Sequence, residues 1–233
     1  MNTIREIFEK RAEQFNGHDP WRYGGELSEK CDVIELDWIF KNIWFKLDDI
    51  VLDAGCGRGR HILELAPKTN CKCIYGCDFV QKNIDFIKKQ IEINKLKNVK
   101  VECCDGKLFN LIFPGIRFDK IFMIGFTQYI IEDDKLQIFS KHCYDCLNPG
   151  GLLILKHPLS FSETFLFDGY SNFLQSRYIS KYRNFNDMNY LFKEFELIKM
   201  DRIFTQENLQ EQLPVVETSE RTKQMWMVFK KLI

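Results

Sequence analysis

The 233-residue sequence contains no run of about 18 or more apolar residues, so it offers no membrane-spanning helix. It also lacks an excess of either charge: Lys and Arg together number 33, and so do Asp and Glu. With no overall field, nothing in the composition draws the chain to nucleic acid or to an anionic membrane surface. Both are therefore disfavoured as partners, and a small-molecule partner is the expectation. The first residues, MNTIREIFEKRAEQF, are charged throughout and lack the apolar stretch of a signal peptide, so a cytoplasmic location is the expectation. No paired Cys-x-x-Cys set of the kind that holds zinc is present. HCYDC at 142–146 supplies two thiols without a second pair, so no metal is expected. The nine cysteines are odd in number and sit in a long chain, which argues against a disulfide framework. Cys71, Cys73, Cys77, Cys103 and Cys104 fall in strand-like runs and read as small buried apolar residues of a reducing compartment, while Cys143 and Cys146 fit one face of a helix.

What is present is the patterning of a folded α/β chain, with 45% apolar and 28% charged residues. Helices are predicted over 3–15, opened by a Thr3/Glu6 capping box, and over 32–46. From residue 49 the pattern alternates. DIVLDA is a strand, the following helix is closed by Pro67, CIYGCD is a strand, and 81–96 is a helix with Ile84, Ile87 and Ile91 aligned. VKVECCD and FDKIFMIG are further strands, 132–147 is a helix, NPGG is a turn and LLILKHP is a fifth strand. Strands apolar on both faces and alternating with helices imply a parallel sheet covered on both sides. After 158 the rhythm stops. A short helix near 187–194 and strands over 195–204 and 224–231 close the chain. The expected organisation is one domain: an N-terminal helical cap (1–47), a core (48–158), an insertion (159–185) and closing elements (186–233).

Three glycines, at 55, 57 and 59, follow the first strand in VLDAGCGRGRH. A turn of this kind lets backbone N–H groups approach a ligand. A phosphate-binding P-loop is excluded, because no Lys-Ser or Lys-Thr follows. A dinucleotide fingerprint is disfavoured, because its third glycine falls on Arg60. What stands is D-x-G-x-G-x-G, and here the chain resembles the class I S-adenosylmethionine-dependent methyltransferases. YGCD, VECCDG, FDKIFMIGFTQYI and LNPGG match further motifs of that family in order and spacing over about 48–158.

The resemblance implies a three-layer α/β/α sandwich with a mostly parallel seven-stranded sheet, its last strand antiparallel, and S-adenosylmethionine as cofactor, with S-adenosylhomocysteine as product. It implies that Asp53, Gly55, Cys56, Gly57 and Gly59 hold the amino-acid part of the cofactor. Asp78 would take the ribose hydroxyls, Phe79 would pack on adenine, and Asp105 with Gly106 would meet the adenine amino group. Gly125 ends the fourth motif, which faces the methyl. Arg22, with Tyr23 in an N-terminal cover, is the candidate for the cofactor's carboxylate.

Methyl transfer needs alignment and exclusion of water, and a base only where the acceptor must lose a proton first. His157, at the end of the fifth strand, is the candidate base, with Gln128 and Tyr129 as candidate acceptor-orienting residues. Acceptor signatures such as Asn-Pro-Pro-Tyr and Pro-Cys are absent after the fourth strand. The expectation is therefore O- or N-methylation of a small molecule. The insertion mixes aromatics with Arg177, Tyr178, Lys181 and Arg183, which would suit a phosphate- or carboxylate-bearing acceptor. The alternative for this segment is an amphipathic helical pair packed on the sheet. Alternatives for the whole chain are an RNA methyltransferase, a protein that binds S-adenosylmethionine without turnover, and an NAD(P)-dependent oxidoreductase.

Overall fold

The computed structural model describes residues 4–14, 25–171, 176–213 and 219–232. Its main sheet has seven strands: β1 (Ile50–Ala54), β2 (Cys73–Asp78), β3 (Val99–Cys103), β4 (Phe118–Ile124), β5 (Leu147–Ser160), β8 (Phe195–Arg202) and β9 (Thr222–Lys231). The order across the sheet is β3-β2-β1-β4-β5-β9-β8, and β9 alone runs antiparallel to its neighbours. The expected α/β class, strand count and antiparallel last strand are all observed. The chain winds outward in both directions from β1 and β4, so the crevice at their carboxyl ends is where an open α/β sheet receives a ligand.

Two apolar layers cover the sheet because its central strands are apolar on both faces. On one side Phe109, Phe118, Phe139, Leu153, Leu155 and Phe229 meet the helices α5 (Phe109–Ile112), α6 (Asp133–Cys146) and α7 (Phe185–Leu191). On the other, Val51, Ile62, Ile84, Phe122, Ile154 and Trp226 meet α2 (Gly25–Asn42), α3 (Arg60–Lys68) and α4 (Gln81–Ile93). Trp38 of α2 stacks on Trp226 at 4.8 Å and donates its indole N–H to Asp201 at 2.8 Å, which fixes α2 across the sheet. The first helix, α1 (Ile4–Gln14), lays Phe8 edge-on against Phe79 and Tyr129. A further short helix, α8 (Gln206–Leu209), is opened by a Thr205/Asn208 capping box.

Several boundaries differ from the sequence reading. Helix α2 starts at Gly25 rather than 32, and Pro67 lies inside the last turn of α3 instead of stopping it. The NPGG turn is looped out within β5. Leu147 sits opposite Phe118 and Leu152 opposite Lys120, so residues 148–151 face Asp119 alone. Asp119, given no role by the sequence, accepts from the Ile50 N–H and from Asn148 Nδ2, both at 2.8 Å, and locks this bulge to β1.

The insertion is neither a helical pair nor irregular. It is an antiparallel hairpin of β6 (Phe165–Ser171) and β7 (Ser176–Tyr182), and Tyr178, Ser180 and Tyr182 alternate at the period of a strand. Of the cysteines read as buried, Cys71 and Cys77 are buried, whereas Cys73, Cys103 and Cys104 are half-buried. No helix among the described residues is long and apolar enough to cross a membrane.

Candidate functional site

Beyond Ala54 the chain turns through Gly55–Gly59 over the end of β2. The Gly55 and Cys56 N–H groups donate to the Cys77 carbonyl at 2.8 and 2.9 Å, and the Gly57 N–H donates to Asp78 Oδ2 at 3.0 Å. At Gly59 the backbone is left-handed (φ +75°), and a Cβ would lie 2.7 Å from Ile87 Cγ1, so this glycine lets α3 and α4 approach each other. Gly57 is also left-handed (φ +54°), yet a Cβ there would meet nothing within 4 Å, because the turn opens onto a cavity.

That cavity, of about 300 Å³, has three kinds of wall. The first is Asp53, Gly55, Cys56, Gly57, Asp78 and Asn83, at the ends of β1 and β2. Asp78 Oδ1 accepts from the Val80 N–H at 2.9 Å and from Asn83 Nδ2 at 3.2 Å, so one carboxylate ties the glycine turn to the start of α4. Burial raises its pKa against the pull of those three donors. Asp53 Oδ2 is buried without a hydrogen-bond partner among the described residues. Burial first, and then the charge of Asp78, push the Asp53 carboxyl up to about 7.

The second wall is aromatic: Phe8, Tyr129, Tyr178 and Tyr182, with Gly125, Gln128 and Pro158 beside them. Tyr129 and Tyr178 meet edge to face at 5.9 Å with their hydroxyls 3.4 Å apart. Burial pushes both the Tyr178 and Tyr182 hydroxyls up, so these phenols are neutral. Gln128 is 7% exposed and its Oε1 has no partner among the described residues.

The third wall escaped the sequence reading. Glu35 of α2 is only 1% accessible, and it meets Lys156 Nζ at 2.5 Å, Arg60 Nη2 at 2.9 Å and His61 Nε2 at 3.6 Å. Arg60 also pairs with Asp32. This cluster fastens the helical cap to α3 and β5 and leaves the cavity wall with balanced charge.

The predicted residues divide accordingly. Asp53, Gly55, Cys56, Gly57, Asp78, Gly125, Gln128, Tyr129 and Tyr178 come together on the cavity wall. Phe79, Asp105 and Gly106 lie at the ends of β2 and β3 behind it. There Asp105 accepts from the Lys107 N–H at 3.0 Å and pairs with Lys107 Nζ at 2.7 Å, and a Cβ on Gly106 would come 3.0 Å from the Gly55 nitrogen. Arg22 and Tyr23 lie outside the described residues.

His157 is not on the wall. Its neighbours Lys156 and Pro158 are, while the imidazole points to the opposite face, fully buried, with Nδ1 2.9 Å from Thr127 Oγ1. Burial, and then the charge of Arg183, lower its pKa to about 3, so it stays neutral. The candidate base thus lies away from the cavity, and a buried imidazole of lowered pKa is a weak base.

The cations of the hairpin are likewise turned from the cavity. Arg177 holds Asp168 through two bonds at 2.6 and 2.5 Å, and Lys181 holds Asp133 at 2.6 Å. Arg183 is fully buried. It donates to Asp133 at 2.8 Å and to the carbonyls of Ile130 at 2.6 Å and Ile131 at 3.2 Å, clamping the hairpin to the turn after β4.

The sheet order and the glycine turn together define a class I methyltransferase fold. Residues 51–151 match the sequence model of the family described as Methyltransferase domain. Over that segment the chain is similar to the methyltransferase domain family, and the whole chain has the fold of the solved S-adenosylmethionine-dependent methyltransferases. Among curated proteins it is 36% identical over 111 residues to a tRNA (guanine-N(7)-)-methyltransferase of Helicobacter acinonychis, covering 46% of this chain and 28% of that protein. It is 30% identical over 172 residues to the tRNA N(3)-methylcytidine methyltransferase Mettl2 of Drosophila melanogaster, covering 72% of this chain and 50% of that protein. The chain thus spans half or less of the length of these two relatives. Among solved structures, geranyl diphosphate C-methyltransferase from Streptomyces coelicolor superposes with a TM-score of 0.70 at 9% identity over the whole of both chains.

The cofactor of this family, S-adenosylmethionine, suits the site. A buried carboxylate oxygen without a partner among the described residues (Asp53 Oδ2) meets the need of an ammonium group, and the open side of Gly57 leaves room for the group that approaches it.

Proposed function

We propose that this chain is an S-adenosylmethionine-dependent methyltransferase acting on oxygen or nitrogen of a small molecule. The observation that carries the reading is the meeting of the unpartnered Asp53 Oδ2, the Gly55–Gly57 turn and the buried Asp78 on one cavity wall. The bound donor supplies an electrophilic methyl on a sulfonium sulfur. The chain's own part is to hold and to exclude water. Asp53 and the glycine turn receive the amino-acid end, Asp78 the ribose, and Phe79 with Asp105 the adenine side. We take 48–158 as the cofactor-binding core and the hairpin, through Tyr178 and Tyr182, as part of the acceptor wall. No requirement for an anionic acceptor follows, because Arg177 and Lys181 are already held by carboxylates.

A second reading, an RNA acceptor, draws support from the two tRNA-modifying relatives. Steep loss of RNA affinity with added salt would mark it.

Calorimetric titration with S-adenosylmethionine, S-adenosylhomocysteine and NADH tests the donor. The first two should bind and NADH should not; binding of NADH alone refutes the reading. Asp78→Ala should weaken S-adenosylhomocysteine binding by about 1–3 kcal/mol through lost charge-assisted bonds, with thermal unfolding as the control for fold. An unchanged affinity removes Asp78 from the site.

A further inference from the structure

We infer that the acceptor is an uncharged nitrogen bearing an N–H, and that Gln128 Oε1 is the group that receives this N–H. The inference deepens the proposed function and rests on it. Three observations carry it. First, Gln128 lines the cavity beside the aromatic residues, and its carboxamide oxygen is buried and has no partner among the described residues. A buried acceptor left unmatched is costly, and the oxygen of a carboxamide is satisfied by a donor.

Second, among the described residues the aromatic wall (Phe8, Tyr129, Tyr178, Tyr182, Gly125, Gln128 and Pro158) holds no histidine or carboxylate. His157, next to Pro158, is bonded to Thr127, and the acids and His61 of the same cavity belong to its other two walls. An alcohol or phenol must give up its proton as it attacks, whereas a neutral nitrogen attacks with a free lone pair.

Third, the charge that develops suits this wall. As the N–C bond forms, the donor's C–S bond breaks. The sulfur leaves as a neutral thioether, the nitrogen becomes cationic, and its extra proton then passes to water. The N–H grows more acidic along that path, so its bond to Gln128 Oε1 strengthens towards the transition state, and the aromatic rings favour the growing cation. A ring nitrogen of a small amine and the amino group of a nucleobase both offer such an N–H, the nucleobase with its lone pair partly delocalised into the ring.

The test uses binding to the full chain saturated with S-adenosylhomocysteine, so it needs no knowledge of the natural acceptor. One set of probes is tetrahydroquinoline, which is uncharged at neutral pH and has one N–H, N-methyltetrahydroquinoline, which has none, and chroman, where oxygen replaces it. The second set is cytidine and its dimethylamino derivative. Ligand-observed NMR should show the N–H member of at least one set binding about tenfold more tightly than its matched partner, the worth of one hydrogen bond at a buried site. Which set responds tells a small amine from a nucleobase. In Gln128→Leu the preference should vanish while S-adenosylhomocysteine affinity is kept, and Gln128→Glu, which retains an acceptor oxygen, should restore it. Equal binding within both sets, tighter binding of chroman, failure of every probe, or a preference that survives Gln128→Leu overturns the inference. Loss of S-adenosylhomocysteine affinity in Gln128→Leu overturns it too, by assigning Gln128 to the donor. If the wild type does not bind S-adenosylhomocysteine at all, it is the methyltransferase reading that fails.

Discussion

The buried carboxyl of Asp53 makes donor binding depend on pH in a direction that can be worked out. Its folded-state pKa is raised from 3.8 to about 7, chiefly by burial and then by Asp78. A raised carboxyl favours the protonated form in the folded chain. Its contribution to stability is therefore greatest below the unfolded value near 3.8 and is lost as pH rises towards 7. Above that, the ionised group costs on the order of 4 kcal/mol relative to an exposed one, at 1.36 kcal/mol per pKa unit. An ammonium placed against Asp53 Oδ2 offsets this cost, so the donor binds the ionised form and must expel a proton at lower pH. The affinity for S-adenosylhomocysteine should then fall about tenfold per unit as pH drops below about 7 and level off above it. A separate decline follows at higher pH, where the ligand's own ammonium loses its charge.

Isothermal calorimetry in two buffers of different ionisation enthalpy checks the proton count directly. Binding should release close to one proton well below neutrality and none above it. Asp53→Asn should flatten the low-pH limb, weaken binding throughout, and raise the unfolding midpoint of the free protein at neutral to alkaline pH, with little change near pH 4. A flat wild-type profile between about pH 5 and 7, or a slope that persists in Asp53→Asn, would refute the assignment of the ammonium to this carboxylate.

Two other substitutions probe the frame around the site. Gly59→Ala places a methyl 2.7 Å from Ile87 on a left-handed backbone, and should cost about 2 kcal/mol or more in chemical denaturation. Arg183→Met leaves the carbonyls of Ile130 and Ile131 without their donor. It should cost about 3 kcal/mol and loosen the hairpin, read as faster hydrogen exchange over β7 with S-adenosylhomocysteine affinity kept. In the same exchange experiment Arg177→Met, which removes only an exposed pair with Asp168, should leave β7 unchanged.

The contrast between Arg183 and Arg177 also shows which features were legible in the sequence. The core strands and the turn after β1 are written locally. Val51, Leu52 and Ala54 are apolar on both faces of one strand, and Gly55, Gly57 and Gly59 sit where left-handed backbone or close packing leaves no alternative. The three basic residues of the hairpin look alike in the sequence, and their different roles come from distant partners. Asp133, about 50 residues before Lys181 and Arg183, takes both, whereas Asp168 across the hairpin takes Arg177. Glu35 is the extreme case. As one of several acids in α2 it carries no local mark, and its burial goes with the crossing of α2 to Arg60 and Lys156.

The burial of His157 away from the cavity was not legible for a different reason. A strand buried on both faces gives no polar alternation, so LLILKHP does not announce which parity faces the ligand. One clue was available. In a strand, residues 153, 155, 157 and 159 share a face, and of these Leu153, Leu155 and Leu159 are the fully apolar set that a covering helix layer requires. That parity assigns Lys156 and Pro158 to the open side and sends the histidine into the core. A candidate catalytic group at the end of a strand must therefore be chosen by face before it is chosen by residue type.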